Sequence, residues 1–478
     1  MITTPRQTSI PGIAGRRLHD DPRVTRARAY LLEAVADASA SLTGPRGPIG
    51  EGHEQSYTKT LARFSEQRGG NLFYPFLGSG LGRGPLVELD DGSVKYDMIT
   101  GIGVHFFGHS HPELVRCAID AALSDTIMAG NLQQNSDSAA LVDEILELAN
   151  SRGFASPRFA HCFLTSSGAM ANENAFKLAF QRHHPADRVL AFEKCFCGRT
   201  MVLSQITDKP AYRVGLPPTI AVDYVPGFDS ADPEGSGKRA HDALLSHLSR
   251  YPGRHAAMKF ELVVGEGGFY PGTTEFFRPL METLNQQNVA VVVDEVQTFG
   301  RTPAPFAFQH FGLGNLVDIV SIGKLSQICA TLFTGTYKPK PGLLSQTFTG
   351  SATAIAAARW VMSQLAGGSL HGPDGRIQRV HNRFVKHFRA IATEHPERLS
   401  GPFGLGGMIA CTPFGGEPNK VRRLLTRLFD LGVIAFMAGA EPTRLRFLPP
   451  VPVVADKDID AVCGILRLAL DDIAQESE

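Results

Sequence analysis

Six short apolar runs alternate with stretches of helical periodicity through the middle of this chain, and that alternation limits the fold more than any other feature. The runs are His161–Leu164, Val189–Phe192, Ile220–Tyr224, Ala256–Phe260, Val289–Val293 and Ile319–Ile322. Helical patterns cover Gly168–Gln181, Pro233–Tyr251 and Thr274–Gln287 between them, Pro112–Ser124 and Ser138–Ser151 before them, and Ala352–Leu365 after them. Strands spaced in this way pair mainly in parallel, with helices on both faces of the sheet. The pattern predicts an α/β large domain over residues 111–365. Beyond it, helices at Arg376–Glu394, Asn419–Leu431 and Asp456–Gln475 and a strand near Gly407–Thr412 predict a smaller α+β domain over residues 366–478. Leu86–Leu89 and Val94–Met98 flank Asp90-Asp91-Gly92 and read as a hairpin. Residues 71–110 are assigned to the small domain with it. Residues 1–70 are read as an N-terminal arm, with a helix over Arg23–Ala40 and a Gly/Pro-rich loop at Gly44–Gly52.

Bulk properties narrow the function classes. A chain of 478 residues, 43% apolar and 20% charged, suits a globular enzyme of two packed domains. Its 47 basic residues balance 47 acidic ones, which gives no reason to expect a nucleic-acid or anionic-membrane partner. Seven scattered cysteines suit free thiols in a reducing compartment. No run of eighteen apolar residues occurs, and Met1–Arg17 lacks an apolar stretch of signal-peptide length. The expectation is a cytoplasmic protein.

Two of the strands end in chemistry. Val291–Val293 runs straight into Asp294 and Glu295, and Val317–Ile322 runs into Gly323-Lys324. Ligands of an open α/β sheet sit beyond the carboxyl ends of its strands. The two strands are therefore expected to deliver a carboxylate and an amine to one crevice. Pyridoxal phosphate (PLP) chemistry needs that pair: a lysine to form the Schiff base, and a carboxylate to hold the pyridine nitrogen protonated. A third block, Thr165-Ser166-Ser167-Gly168-Ala169-Met170, lies between a strand and a helix. A Ser/Gly loop there offers unpaired N–H groups to a phosphate, although an ordinary N-cap reads the same way.

These blocks together resemble the class III (ω-amino acid) aminotransferases, a family of fold-type I PLP enzymes. The resemblance extends from about Leu86 to Pro450. It implies that Lys324 and Asp294 are catalytic, and that Ser167, Gly168 and Ala169 hold the PLP phosphate. In Cys195-Phe196-Cys197-Gly198-Arg199-Thr200, Phe196 matches the aromatic residue that stacks on the ring, and Cys197 stands where His is usual. Gln297 matches the contact to the ring hydroxyl. Thr347, in Gln346-Thr347-Phe348-Thr349-Gly350, matches a phosphate ligand donated by the neighbouring subunit, so the resemblance implies a homodimer with shared active sites. Glu261 and Glu266 match two glutamates of a Gly-rich segment, and Arg446 matches the arginine that binds the substrate carboxylate. Glu266 is the candidate switch that pairs with Arg446 until a dicarboxylate enters, with Glu261 second. Arg199 is a further candidate for a carboxylate contact. The segment after Lys324, Leu325–Ala330, is similar to the lysine ε-aminotransferase branch.

The implied activity is ping-pong transfer of an amino group to 2-oxoglutarate. The donor amine would be the distal one of a diamino or ω-amino acid such as lysine, ornithine, acetylornithine or 4-aminobutyrate. The same lysine and aspartate serve an aminomutase or a decarboxylating aminotransferase, and a non-catalytic scaffold of this fold is a further alternative. No metal is expected: His105, His109 and His111 stand at a turn-to-helix entry, and Cys195-Phe196-Cys197 lacks partners at zinc spacing.

Overall fold

Alternate residues of the central strands face two different layers of core. Ala290 and Val292 pack with Phe176 and Leu178 of the helix Gly168–Arg182, whereas Val291 and Val293 pack with Leu280 and Leu284 of the helix Thr274–Gln286. A strand buried on both faces can be apolar at every position, which is why these runs stand out in the sequence. The computed structural model describes residues 13–152 and 158–475. Residues 1–12, within the Met1–Arg17 stretch read above, lie outside the described residues.

The central sheet has seven strands: β1 (Phe159–Thr165), β2 (Arg188–Phe192), β3 (Ala221–Val225), β4 (His255–Phe260), β5 (Ala290–Glu295), β6 (Ile319–Ile322) and β7 (Cys329–Thr334). Their spatial order is β1-β7-β6-β5-β4-β2-β3. All neighbours are parallel except those of β7, which is antiparallel to both β6 and β1. The sheet is thus α/β and mostly parallel, as the alternation predicts. The reversed strand β7 was not expected; it follows Lys324 through a single tight turn.

A four-stranded sheet in the C-terminal part orders Leu399–Leu405, Met408–Pro413, Arg444–Phe447 and Phe436–Ala438, with the helices Arg376–Glu394, Pro418–Asp430 and Asp456–Gln475 packed together beside it. Another four-stranded sheet joins Gly78–Arg83, Leu86–Leu89 and Val94–Asp97 to Val433–Ile434, so the early hairpin pairs with the late chain. The sequence reading set no strand limits between residues 71 and 85; Gly78–Arg83 is the first of these strands. It also missed a helix at Glu51–Gln67, which follows the loop it placed at Gly44–Gly52. That helix is polar around most of its circumference and buries only Tyr57, so it carries little apolar period to read. Among the described residues no helix is long and apolar enough to cross a membrane.

Candidate active site

Asp294 and Glu295 end β5 on opposite faces, and the period of two gives them different work. Glu295 is fully buried and accepts from Thr298 Oγ1, Ala307 N and Phe308 N. Burial pushes its carboxyl up to about 7 against these hydrogen bonds. It clamps the loop after the strand. Asp294 points the other way, toward the helix Gly168–Arg182 and a cavity of about 490 Å³. Its Oδ1 accepts from Val296 N at 3.0 Å, and its Oδ2 accepts from Asn172 Nδ2 at 2.8 Å.

Lys324 enters the same cavity from the end of β6. Its backbone is left-handed, with φ 56°, an uncommon conformation for a side chain of this size and a form of strain that clusters at functional sites. Burial lowers its pKa to about 8; Arg446 and Arg301 push the same way, while Glu266 and Asp294 oppose them. The ε-amine makes no ion pair among the described residues.

The cavity wall opposite is the start of the helix Gly168–Arg182. Ser167 is its N-cap, with Oγ accepting from Met170 N at 3.2 Å. Ser166, Gly168 and Ala169 line the cavity. A Cβ on Gly168 would come within 2.7 Å of Val296 Cγ1, so the close packing of helix against strand end requires glycine there. Phe196 and Arg199 also line the cavity; Arg199 lies 4.2 Å from the ring of Tyr212. Gln297 is 8% exposed, and neither its Oε1 nor its Nε2 has a partner. An orphaned amide in a cavity is costly unless a ligand satisfies it.

Arg446 is fully buried on the strand Arg444–Phe447, between the rings of Phe269 and Phe436. Its Nη2 contacts Glu266 at 2.8 Å (Oε1) and 3.0 Å (Oε2), while Nε and Nη1 have no partner. Burial works against the Glu266 carboxylate, but Arg446 and then Lys324 hold its pKa below the usual value. Glu261 is engaged inside the protein. Oε1 accepts from Phe196 N at 3.0 Å and Lys259 Nζ at 2.8 Å, and Oε2 accepts from Gly265 N at 3.0 Å. Thr347 is exposed on a loop next to Gln346, which accepts from Thr165 Oγ1 at 2.7 Å; Thr347 does not line this chain's cavity.

The donor set fits PLP. A carboxylate, an orphaned amide, an aromatic ring, a helix N-terminus and an amine with a depressed pKa surround one space of sufficient size. The sequence profile of the family described as Aminotransferase class-III matches residues 77–470. The chain belongs to that family. It is a PLP-dependent aminotransferase. Among curated proteins, this aminotransferase is 28% identical over 393 residues to an acetylornithine aminotransferase of Lactiplantibacillus plantarum, covering 81% of this chain and 92% of that one. It is 32% identical to an acetylornithine aminotransferase of Corynebacterium efficiens, covering 80% and 89%. Among solved structures it resembles a lysine aminotransferase from M. tuberculosis (TM-score 0.76, 23% identity, 86% of this chain and 99% of that one). It also resembles an ornithine aminotransferase from Toxoplasma gondii (TM-score 0.75, 20% identity, 90% and 100%). These two likenesses speak to the fold.

Two residues of the site went unassigned in the sequence. Asn172 was given no role, yet it bridges Asp294 Oδ2 and the Cys197 carbonyl, at 2.8 and 2.9 Å. Lys259 was passed over inside an apolar run. A lone charge in a strand buried on both faces was the available signal, since such a group persists only when paired. Of the histidines, His109 pairs with Asp97 Oδ2 at 3.0 Å, and no group of three metal-ligating side chains forms among the described residues.

The packing around Gln297 gives a direct test of its part in the site. A Cβ at Gly265 would overlap Gln297 Oε1, the free end of a flexible side chain. Gly265→Ala is expected to displace the amide, weaken PLP binding by roughly tenfold (the loss of about one hydrogen bond) and leave thermal stability nearly unchanged. Equilibrium titration of the apoprotein with PLP checks this.

Proposed function

We propose that this aminotransferase binds PLP in the 490 Å³ cavity and moves the distal amine of a diamino or ω-amino acid to 2-oxoglutarate by a ping-pong cycle. When bound, the cofactor supplies an electrophilic carbonyl and an electron sink. Lys324 attaches it and moves protons at the substrate carbon through its ε-nitrogen. Asp294 would hold the ring nitrogen, Gln297 the ring hydroxyl and Phe196 the ring, all three lining the cavity. Ser167, Gly168 and Ala169 take the phosphate at the helix N-terminus, with Thr347 of a second copy completing that cradle in a homodimer. The exposure of Thr347 and its absence from this chain's own cavity support the shared site. The reading also takes residues 111–365 as the cofactor domain, and 71–110 with 366–478 as the small domain that carries Arg446.

The observation that carries this reading is the Arg446–Glu266 pair at the cavity edge, with two guanidinium nitrogens left unsatisfied. A paired arginine presents little net charge to an amine-ended donor. A dicarboxylate can take the guanidinium from Glu266 and satisfy the orphaned N–H groups bidentately. Curated relatives named as acetylornithine aminotransferases support this donor class. Arg199, at the rim, is the second carboxylate contact in this reading.

The test is a visible absorbance spectrum of the holoprotein with lysine, ornithine, N-acetylornithine, 4-aminobutyrate, 2,4-diaminobutyrate and glutamate in turn. Loss of the visible band with one amine, and its return with 2-oxoglutarate, is expected. A band that responds to no amine would remove the transaminase reading of this donor class and favour mutase or decarboxylating chemistry. A protein that never takes up PLP would favour a scaffold.

The pH dependence of cofactor capture follows from Lys324. Only the neutral amine attacks the aldehyde. With its pKa lowered to about 8, the rate of covalent PLP capture should fall about tenfold per pH unit below pH 8 and level off above it. Stopped-flow absorbance of the apoprotein mixed with PLP reads this directly. A rate still rising at pH 10 would return Lys324 to an ordinary lysine.

A further inference from the structure

Lys259 and Asp294 meet because of strand register. Lys259 pairs with Val292 across the parallel strands β4 and β5, so it shares a face with Asp294, one pleat further on. Its side chain is fully buried. The ammonium donates to the Phe196 carbonyl and to Glu261 Oε1 at 2.8 Å, and it stands 3.3 Å from Asp294 Oδ2. Its donors are thus directed at three groups, each of which also builds the cofactor cavity.

The charges around it are few. Burial opposes the ammonium, yet Glu261 and then Asp294 hold its pKa well above the usual value. The thiols of Cys195 and Cys197 also face it, and burial pushes both up, the former to about 12, so they are neutral at physiological pH. What remains is one cation between two carboxylates. Glu261 meets it at hydrogen-bonding distance, and Asp294 receives its field from the side away from Val296 N.

Asp294 Oδ2 therefore accepts from Asn172 and lies beside Lys259 before any ligand arrives. A carboxylate stabilises a protonated ring by its negative charge, and a second cation at contact distance weakens that stabilisation. We propose that Lys259 is a positioning residue that, through Asp294, lowers the protonation of the PLP ring nitrogen and so moderates the electron sink on which the reaction type depends. Phe196 and Glu261 are held by the same ammonium, so the tuning group also fixes the ring-stacking segment. The proposal rests on the assignment of PLP to this cavity.

The experiment uses full-length holoprotein reconstituted with PLP carrying 15N in the ring, and follows the nitrogen shift by NMR from pH 6 to 10. Two variants are compared with the parent. Lys259→Met removes the charge in a side chain of similar length. Lys259→Met/Glu261→Gln removes the pair together and leaves no unbalanced carboxylate at that position, which guards against a single variant that fails to fold. The protonation midpoint of the ring nitrogen should rise by about one to two pH units in Lys259→Met, and in the same direction but by less in the double variant, where the opposing charge of Glu261 is lost as well. A purely structural lysine would alter stability or PLP affinity without moving that midpoint. An unchanged midpoint, or a nitrogen fully protonated throughout the range in the parent protein, overturns the proposal. A protein that captures PLP at Lys324 with no midpoint change sinks Lys259 alone; one that captures no PLP sinks the cavity assignment with it.

Discussion

Lys324→Ala should lose transamination by at least about a thousandfold, the scale of a missing general acid–base group, while PLP remains bound without a covalent link. The two effects separate because the groups placed at ring and phosphate do not depend on the amine. Asp294, Phe196 and the start of the helix Gly168–Arg182 are held by Asn172, Val296, Glu261 and the N-cap of Ser167. Stability should move the other way from activity. The folded-state pKa of Lys324, about 8, lies below its ordinary value of 10.5. Between those two values the unfolded chain binds more protons, so stability gained from this group rises with pH across that window. Below pH 8 the full penalty of burying the ammonium is present. The alanine apoprotein should therefore melt at or above the parent's temperature at pH 7, with the difference vanishing as pH approaches 10.5. Calorimetry of both apoproteins across that range checks the sign. Turnover retained in the variant would sink the lysine's assignment.

The legible part of this chain was the part whose burial leaves a period. β2, β4, β5 and β6 are packed on both faces, so each appears as a short apolar run, and the chemistry was visible where those runs stop. Asp294 and Lys324 were found in that way. The strand β7 was hidden because Leu325–Ala330 crosses from the turn into the strand without a Gly, Pro or Asn to mark the boundary. The helix Glu51–Gln67 was hidden for the opposite reason, having almost no buried face. Within the site, roles that depend on long-range register stayed out of reach. Nothing local to Lys259 says that Val292 lies beside it, and nothing local to Glu261 says that its carboxylate is spent on Phe196, Lys259 and Gly265. Resemblance supplied Arg446 and Glu266 as a pair; the contact of 2.8 Å gives that pair a physical form.

Arg446→Ala should raise the apparent KM for 2-oxoglutarate by about a hundredfold, roughly 2.7 kcal/mol of lost charge-assisted binding, with a much smaller change in the KM for the amine donor. The asymmetry comes from what each substrate meets. A dicarboxylate needs the guanidinium itself. A donor with no second carboxylate meets the Arg446–Glu266 pair as a closed unit. Removing the arginine leaves Glu266, whose side chain is 24% exposed, with Lys324 and Lys209 as cationic influences, so its charge is partly relieved by solvent and the fold survives. Glu266→Gln should give the reverse pattern. The arginine is then permanently free, the 2-oxoglutarate KM is unchanged or lower, and the donor half-reaction suffers because a fully buried cation has lost its partner. Single-turnover kinetics of the two half-reactions, measured separately for each variant, distinguish this exchange from simple damage. Damage slows both halves in both variants, whereas a pair that opens for one substrate and closes for the other slows opposite halves.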